Sequence, residues 1–293
     1  MQRFVPFFFL FFLLLACNQV DRVLGKDEPT EAGSYSYACL DSSVAGNQTG
    51  RRIEKATKAL RDLTVSRKAI TDEVQNEYGE AFHRDMVQNG GLKLIQNPAL
   101  EQKLNQMTQQ LLAKRTKPSG IRYVTYAVDD PAINAFTFGG RIYVTTGMLG
   151  KCRGNDALLY AIIGHEIGHS ETGHIKTTIQ DMAFTERVFG QGGATVFELK
   201  KLLTASFNQR NELEADYYGI NLTNALGLDL CTAVSFWREM ASKENSYNRL
   251  EDFFRTHPFS EARAGCLAQH IRTNFGKDCG GIDRQQSHPE VTR

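Results

Sequence analysis

Apolar residues recur at helical spacing in two stretches of the chain's first half. Between residues 53 and 82 the positions Ile53, Ala56, Leu60, Leu63, Ile70 and Val74 fall on one face among charged neighbours, predicting a helix. Asn97-Pro98 opens a second, with Leu100, Leu104, Met107, Leu111 and Leu112 on one side and Pro118 beyond its end. Both stripes read as core-facing. The pattern then changes to β-branched and aromatic residues in Ile121–Val128 and Arg141–Thr146. Between them, Asn134 to Gly140 gives a further strand and a Gly-Gly turn, so the region reads as a small meander. Asn155-Asp156 offers an N-cap to an apolar helix spanning Leu158 to His174. Helix continues over Thr177–Phe189 until Gly190-Gln191-Gly192-Gly193 breaks it, as either a mobile lid or a plain connector. Helices then run over about 195–225, 229–243 and 260–275, followed by a polar tail. The expected class is α+β: mostly helical, with a small β-sheet ahead of a central helix.

The first segment stands outside that fold. Arg3 precedes the apolar run Phe7–Ala16, which is short of the roughly 17–25 residues a spanning helix wants. It ends in Leu14-Leu15-Ala16-Cys17, which resembles a bacterial lipoprotein box with Cys17 as the lipidated residue. Cleavage without lipid and an uncleaved anchor are the alternatives. The organisation expected is 1–16 signal peptide, 17–50 lipidated N-terminus and polar tether, 51–275 folded domain and 276–293 polar tail. With Asn18 next to the lipidated cysteine, the chain is expected in the bacterial cell envelope, at the outer membrane facing the periplasm, held to the bilayer by its N-terminal lipid.

Composition adds limits. A content of 41% hydrophobic and 23% charged residues is that of a globular protein, and a formal net charge of +1 gives no reason to expect nucleic acid as a partner. Of six cysteines, five remain once Cys17 is set aside, and none shows C-x-x-C spacing. Cys231 with Cys266 is the bridge first expected, against isolated buried thiols. The Asn47 and Asn221 glycosylation triplets read as chance.

The chemistry lies in His165-Glu166-Ile167-Gly168-His169, an H-E-x-x-H sequence on the predicted central helix. Residues four apart sit about 40° around the axis from each other, so His165 and His169 can aim at one zinc ion. Glu166, about 100° away, is placed instead as a general base. A catalytic zinc usually takes three protein ligands and keeps one position open. The third is sought in Glu212-Leu213-Glu214-Ala215-Asp216, where Glu212 and Asp216 share a helix face and Glu214 points elsewhere. Glu212 can bind the ion while Asp216 accepts a hydrogen bond from a ligand histidine. Gly168 and Ala215 are small enough for the two helices to approach closely. The metzincin pattern is excluded, because Thr172 and Ile175 stand where its glycine and third histidine belong. His174 is one place out of register and reads as structural or surface.

These residues, with the Asn134–Leu149 segment and Thr256-His257-Pro258 followed by Arg263, resemble the zinc metallopeptidases typified by the CAAX prenyl protease and the heat-shock membrane protease HtpX. The resemblance covers roughly residues 90–272 and narrows to exported, cell-envelope members that carry a lipid. It implies a zincin-like domain with one zinc per chain on His165, His169 and Glu212, and Glu166 as catalytic base. Asp216 matches the family's aspartate beside the ligands, and His257 and Arg263 match a loop near the metal. His257 is expected as a catalytic residue that stabilises the oxyanion, occupies zinc's open position at rest, or is structural. Arg263 positions that loop or a substrate carbonyl, or is a surface charge.

The expected activity is endopeptidase cleavage of unfolded or misfolded envelope proteins. Substrate is expected to add to the Arg141–Thr146 strand as an extended chain, with Asn134, Phe136, Tyr143 and Val144 at the groove. A zinc-binding, non-catalytic quality-control protein and a hydrolase of non-peptide amides are the competing readings.

Overall fold

The helix that carries His165 and His169 packs against the sheet and several of the other described helices. The computed structural model describes residues 35–40, 59, 61–189, 207–243, 257 and 261–280. The leader, Cys17, the Gly190–Gly193 break, Thr256, Pro258 and the tail from 281 lie outside the described residues. The elements are α1 (Asp72–Gln88), α2 (Pro98–Leu112), β1 (Val124–Val128), β2 (Ala135–Phe138), β3 (Arg141–Thr145), α3 (Thr146–Lys151), α4 (Asp156–Glu171), α5 (His174–Phe189), α6 (Gln209–Ala225), α7 (Cys231–Lys243) and α8 (Glu261–Phe275). The class is therefore the one expected, mostly helical with a small sheet before the H-E-x-x-H helix. Twelve of the 16 residues of α4 are buried, as befits a helix apolar nearly all round. No helix among the described residues is long and apolar enough to cross a membrane.

Local signals set most boundaries. The Leu100 and Leu158 amides donate to the side chains of Asn97 and Asn155, the two predicted N-caps. The single helix expected over 53–82 is instead interrupted. A 3-10 turn at Arg67–Ala69 intervenes, and α1 starts afresh where the Val74 amide donates to the Thr71 hydroxyl. That cap outweighs the apolar spacing that runs through it. The central helix is also shorter than expected. It stops before Gly173, whose φ of +84° ends an α-helix at little cost, and His174 begins α5.

The sheet is not a meander. Its order is β1-β3-β2, with β1 parallel and β2 antiparallel to β3. Gly139 and Gly140, at φ of +57° and +82°, make the predicted two-residue hairpin between β2 and β3. The opposite edge of β3 is then open to β1, which places β3 in the middle. One face of the sheet, with Ala135, Ile142 and Val144, joins the core around α4. The other, with Phe138 and Tyr143, packs with Phe82 and Met86 of α1 and Ile175, Ile179 and Met182 of α5.

Helix α6 lies against α4 through glycine contacts. A Cβ on Gly168 would stand 2.7 Å from the Ala215 carbonyl oxygen, and one on Gly219 would stand 2.6 Å from the His165 amide nitrogen. Cys39 pairs with Cys266 and Cys231 with Cys279, while Cys152 is a buried free thiol. This corrects the expected Cys231–Cys266 bridge. The first residue of α7 lies beside the chain just past the end of α8, and Cys266 sits about two and a half turns back along that helix.

Candidate active site

Four side chains from three places in the chain meet at one buried point. The His165 and His169 Nε2 atoms on α4 are 3.0 Å apart. Glu212, on the first turn of α6, puts Oε2 3.5 Å from His165 Nε2 and Oε1 3.3 Å from His169 Nε2. His257 adds Nδ1 at 3.0 Å from Glu212 Oε2 and 3.3 Å from His165 Nε2. All four are buried, with their ligand atoms within 4.8 Å of one another.

Proton accounting shows what this cluster suits. The His165 Nδ1–H donates to Asp216 Oδ1 at 2.8 Å, and the His257 Nε2–H donates to the Ala135 carbonyl at 3.1 Å. His169 Nδ1 is likewise engaged, 3.1 Å from His174 Nδ1. Each outer nitrogen therefore holds the proton, and each inner nitrogen presents a lone pair. Glu212 Oε1 is buried with no hydrogen-bond partner among the described residues. Lone pairs about 3 Å apart repel one another unless a cation sits among them, so the donor set fits a metal ion.

Arg263 ties the carboxylates together. Its Nη1 donates to Glu212 Oε2 at 2.8 Å, and its Nε and Nη2 form a fork with Asp216 at 2.6 and 2.8 Å. The guanidinium is fully buried and lies 5.1 Å from the centre of the Trp237 ring, which rules out a surface charge. Burial opposes the charged form of Glu212, but His257, Arg263 and His169 overturn this and hold its carboxyl well below the usual range. Asp216 is lowered in the same way, by Arg263 and His165 against burial. Burial would lower His165 too, yet Asp216 and Glu212 push it up to about 9, so its Nε2 lone pair is free only once a cation displaces that proton, whereas burial drives His169 well below an ordinary histidine.

Glu166 differs from the other acids. It is 1% exposed, burial raises its carboxyl pKa, and Oε2 has no hydrogen-bond partner among the described residues. Its Oε1 lies 3.6 Å from His257 Nε2. A buried carboxylate oxygen without a protein partner calls for a water or substrate group.

The expected substrate strand is corrected. β3 is paired on both sides, and Tyr143 and Val144 have no exposed surface. The edge beside the site belongs to β2. The Thr145 amide donates to the Asn134 carbonyl, so in the antiparallel alternation Asn134 and Phe136 turn their main chain toward β3, and Ala135 and Thr137 turn theirs outward. Asn134 is 8% exposed, and half-buried Phe136 stacks on Tyr143 at 4.8 Å. Two neighbours of the ligands went unforeseen. His174 is 6% exposed, which leaves the structural half of its structural-or-surface reading, and Phe207 stacks on the His169 ring at 4.2 Å.

The comparisons agree with this geometry. The chain is 31% identical over 171 residues to the metalloprotease LoiP of Escherichia coli, covering 54% of this chain and 64% of LoiP. It is 30% identical over 157 residues to the mitochondrial metalloendopeptidase OMA1 of Schizosaccharomyces pombe, covering 50% and 45% of the two chains. Against the β-barrel assembly-enhancing protease of Escherichia coli the figures are 24% over 245 residues, covering 77% and 50%. The chain thus spans less than two thirds of the length of each of these relatives. The family model matches residues 95–271, a stretch that contains both ligand helices, the sheet, His257 and Arg263, and the chain belongs to peptidase family M48.

Proposed function

We propose that the chain is a zinc-dependent endopeptidase of the bacterial cell envelope that cleaves unfolded or misfolded polypeptides. The observation that carries this reading is Glu166, a buried carboxylate with an unpartnered oxygen next to the four-donor cluster. Metal binding alone has no use for it.

The ligand spacing suits zinc. The donor–donor distances, counting both Glu212 oxygens, run over 3.0–3.5 Å, and all four ligand atoms lie within 4.8 Å of one another, a spacing into which a small cation such as zinc would fit. His165, His169 and Glu212 would hold the ion, with Asp216 and Arg263 fixing two of those ligands from behind. Bound there, zinc supplies Lewis acidity that activates water near neutral pH and polarises the scissile carbonyl. Glu166 takes the proton from the attacking water and delivers it to the leaving amine. Its raised pKa suits both halves of that transfer.

His257 closes the site in this arrangement. Its Nδ1 completes the donor set while its Nε2 covers the Ala135 carbonyl on the outward edge of β2. An extended substrate adding to that edge would compete with His257 for the same carbonyl, so seating substrate would draw the His257 ring away from the donor cluster. Main-chain recognition reads side chains weakly and favours flexible segments, which supports unfolded proteins as substrates. Envelope location and lipid anchoring rest on the leader and Cys17, and the near-neutral charge gives no reason to expect nucleic acid as a partner.

The test is zinc content and casein cleavage for wild type and Glu166→Gln. Full zinc in both, with cleavage down by about 10²–10⁴-fold in the variant, is the expected result. Equal cleavage would remove Glu166 from the mechanism. Full zinc without cleavage in wild type would favour the non-catalytic binding protein.

A further inference from the structure

We infer that His174 is a positioning residue for the metal ligand His169, holding its imidazole in the orientation and tautomer that leave Nε2 to the ion. The inference rests on the metal-site reading above. The backbone makes the contact possible. On an unbroken helix a residue five places beyond His169 would lie about 140° around the axis and face away. The left-handed turn at Gly173 ends α4 and folds the chain back, bringing His174 Nδ1 to 3.1 Å from His169 Nδ1.

Two nitrogens at that distance share one proton. His169 Nε2 belongs to the donor cluster, 3.0 Å from His165 Nε2, so the shared proton sits on His169 Nδ1 and His174 Nδ1 accepts. The remaining His174 proton is then on Nε2, which faces Glu214 Oε2 at 3.4 Å, while Thr172 Oγ1 lies beside the ring at 3.1 Å from Nδ1 and 3.2 Å from Nε2. Thr172 spends its own hydroxyl hydrogen on the Gly168 carbonyl at 2.7 Å, which leaves its oxygen to accept. The two ring centroids are 5.1 Å apart at 63°, so the contact is edge-on and directional, while Phe207 holds the His169 face at 4.2 Å and 25°. His165 is oriented by a carboxylate; His169 is oriented by an imidazole backed by Glu214.

Two substitutions separate this role from packing. His174→Phe keeps a ring of similar size and removes both nitrogens. His174→Asn loses the ring but keeps an acceptor near the Nδ1 position. For the full chain, zinc affinity by chelator competition, the visible spectrum with Co²⁺ and the urea midpoint of the metal-free protein are measured. The expected result is a 10- to 100-fold loss of zinc affinity with an altered cobalt spectrum in His174→Phe, substantially restored in His174→Asn. Metal-free urea midpoints that do not follow this order assign the effect to the ligand and not to the fold. Wild-type affinity and spectrum in His174→Phe would overturn the inference, as would equal losses in both variants. A wild-type chain that takes up neither ion would overturn the metal site itself, which is a distinct result.

Discussion

Gly168 on α4 meets Ala215 on α6 so closely that a Cβ on the glycine would stand 2.7 Å from the Ala215 carbonyl oxygen. That approach sets the distance between the helix holding His165 and His169 and the helix holding Glu212. Gly168→Ala therefore has to push the two backbones apart. The expected cost is about 2 kcal/mol or more in urea unfolding, together with weakened metal binding. Gly150→Ala is the control, because a Cβ there meets nothing within 4 Å. It should be neutral or slightly stabilising.

This contact was legible in the sequence, since Gly168 and Ala215 are small and their helices carry matched i, i+4 pairs. The same spacing placed Glu212 at the metal cluster and turned Glu214 away. Features decided by a single backbone conformation or by distant pairing were not legible. The left-handed Gly173 separates His174 from the helix whose apolar pattern runs on through it. The middle position of β3 depends on which edge β1 takes, and strand composition is silent about that. Cys39 finds Cys266 across 227 residues of sequence, beyond the reach of any local pattern.

Glu212→Gln should abolish stoichiometric metal binding, whereas Glu214→Gln should retain it. The first replaces an anionic donor 3.3 Å from His169 Nε2; the second alters a group whose contact with the site is 3.4 Å from His174. Metal content after dialysis, measured by atomic absorption, decides this. Retention by the Glu212 variant would refute its assignment as a ligand.

Arg263 answers two buried carboxylates at once, so its removal leaves two charges unbalanced. Arg263→Met should destabilise the protein by about 3–5 kcal/mol. Arg263→Lys should recover little, because an ammonium cannot span Asp216 with a fork while also reaching Glu212. Chemical denaturation of the two variants beside wild type checks both statements.

His257→Ala should leave His165, His169 and Glu212 to hold the ion and uncover the Ala135 carbonyl. Cleavage of an unfolded substrate is expected to persist or rise, with a lower KM. If the ring instead serves chiefly as an oxyanion donor, kcat falls by about 10²–10³-fold with KM little changed. Steady-state kinetics on one flexible peptide separates the two outcomes.

Away from the site, His270 should make stability depend on pH. Its Nε2–H donates to Asn221 Oδ1 at 2.9 Å, and its Nδ1 accepts from the Asn274 amide at 3.0 Å. The neutral ring is thus fully paired, and burial lowers its pKa to about 4. In the unfolded chain a histidine titrates near 6.5, so between these values the unfolded state binds more protons and stability rises with pH. The contribution is complete above about pH 6.5 and is lost as pH falls toward 4. Discounted for water reaching the ring, it amounts to about 1–2 kcal/mol. Urea unfolding at pH 7 and pH 4.5 should show a drop smaller by that amount in His270→Phe than in wild type. An equal drop in both would mean that the ring does not titrate in this window.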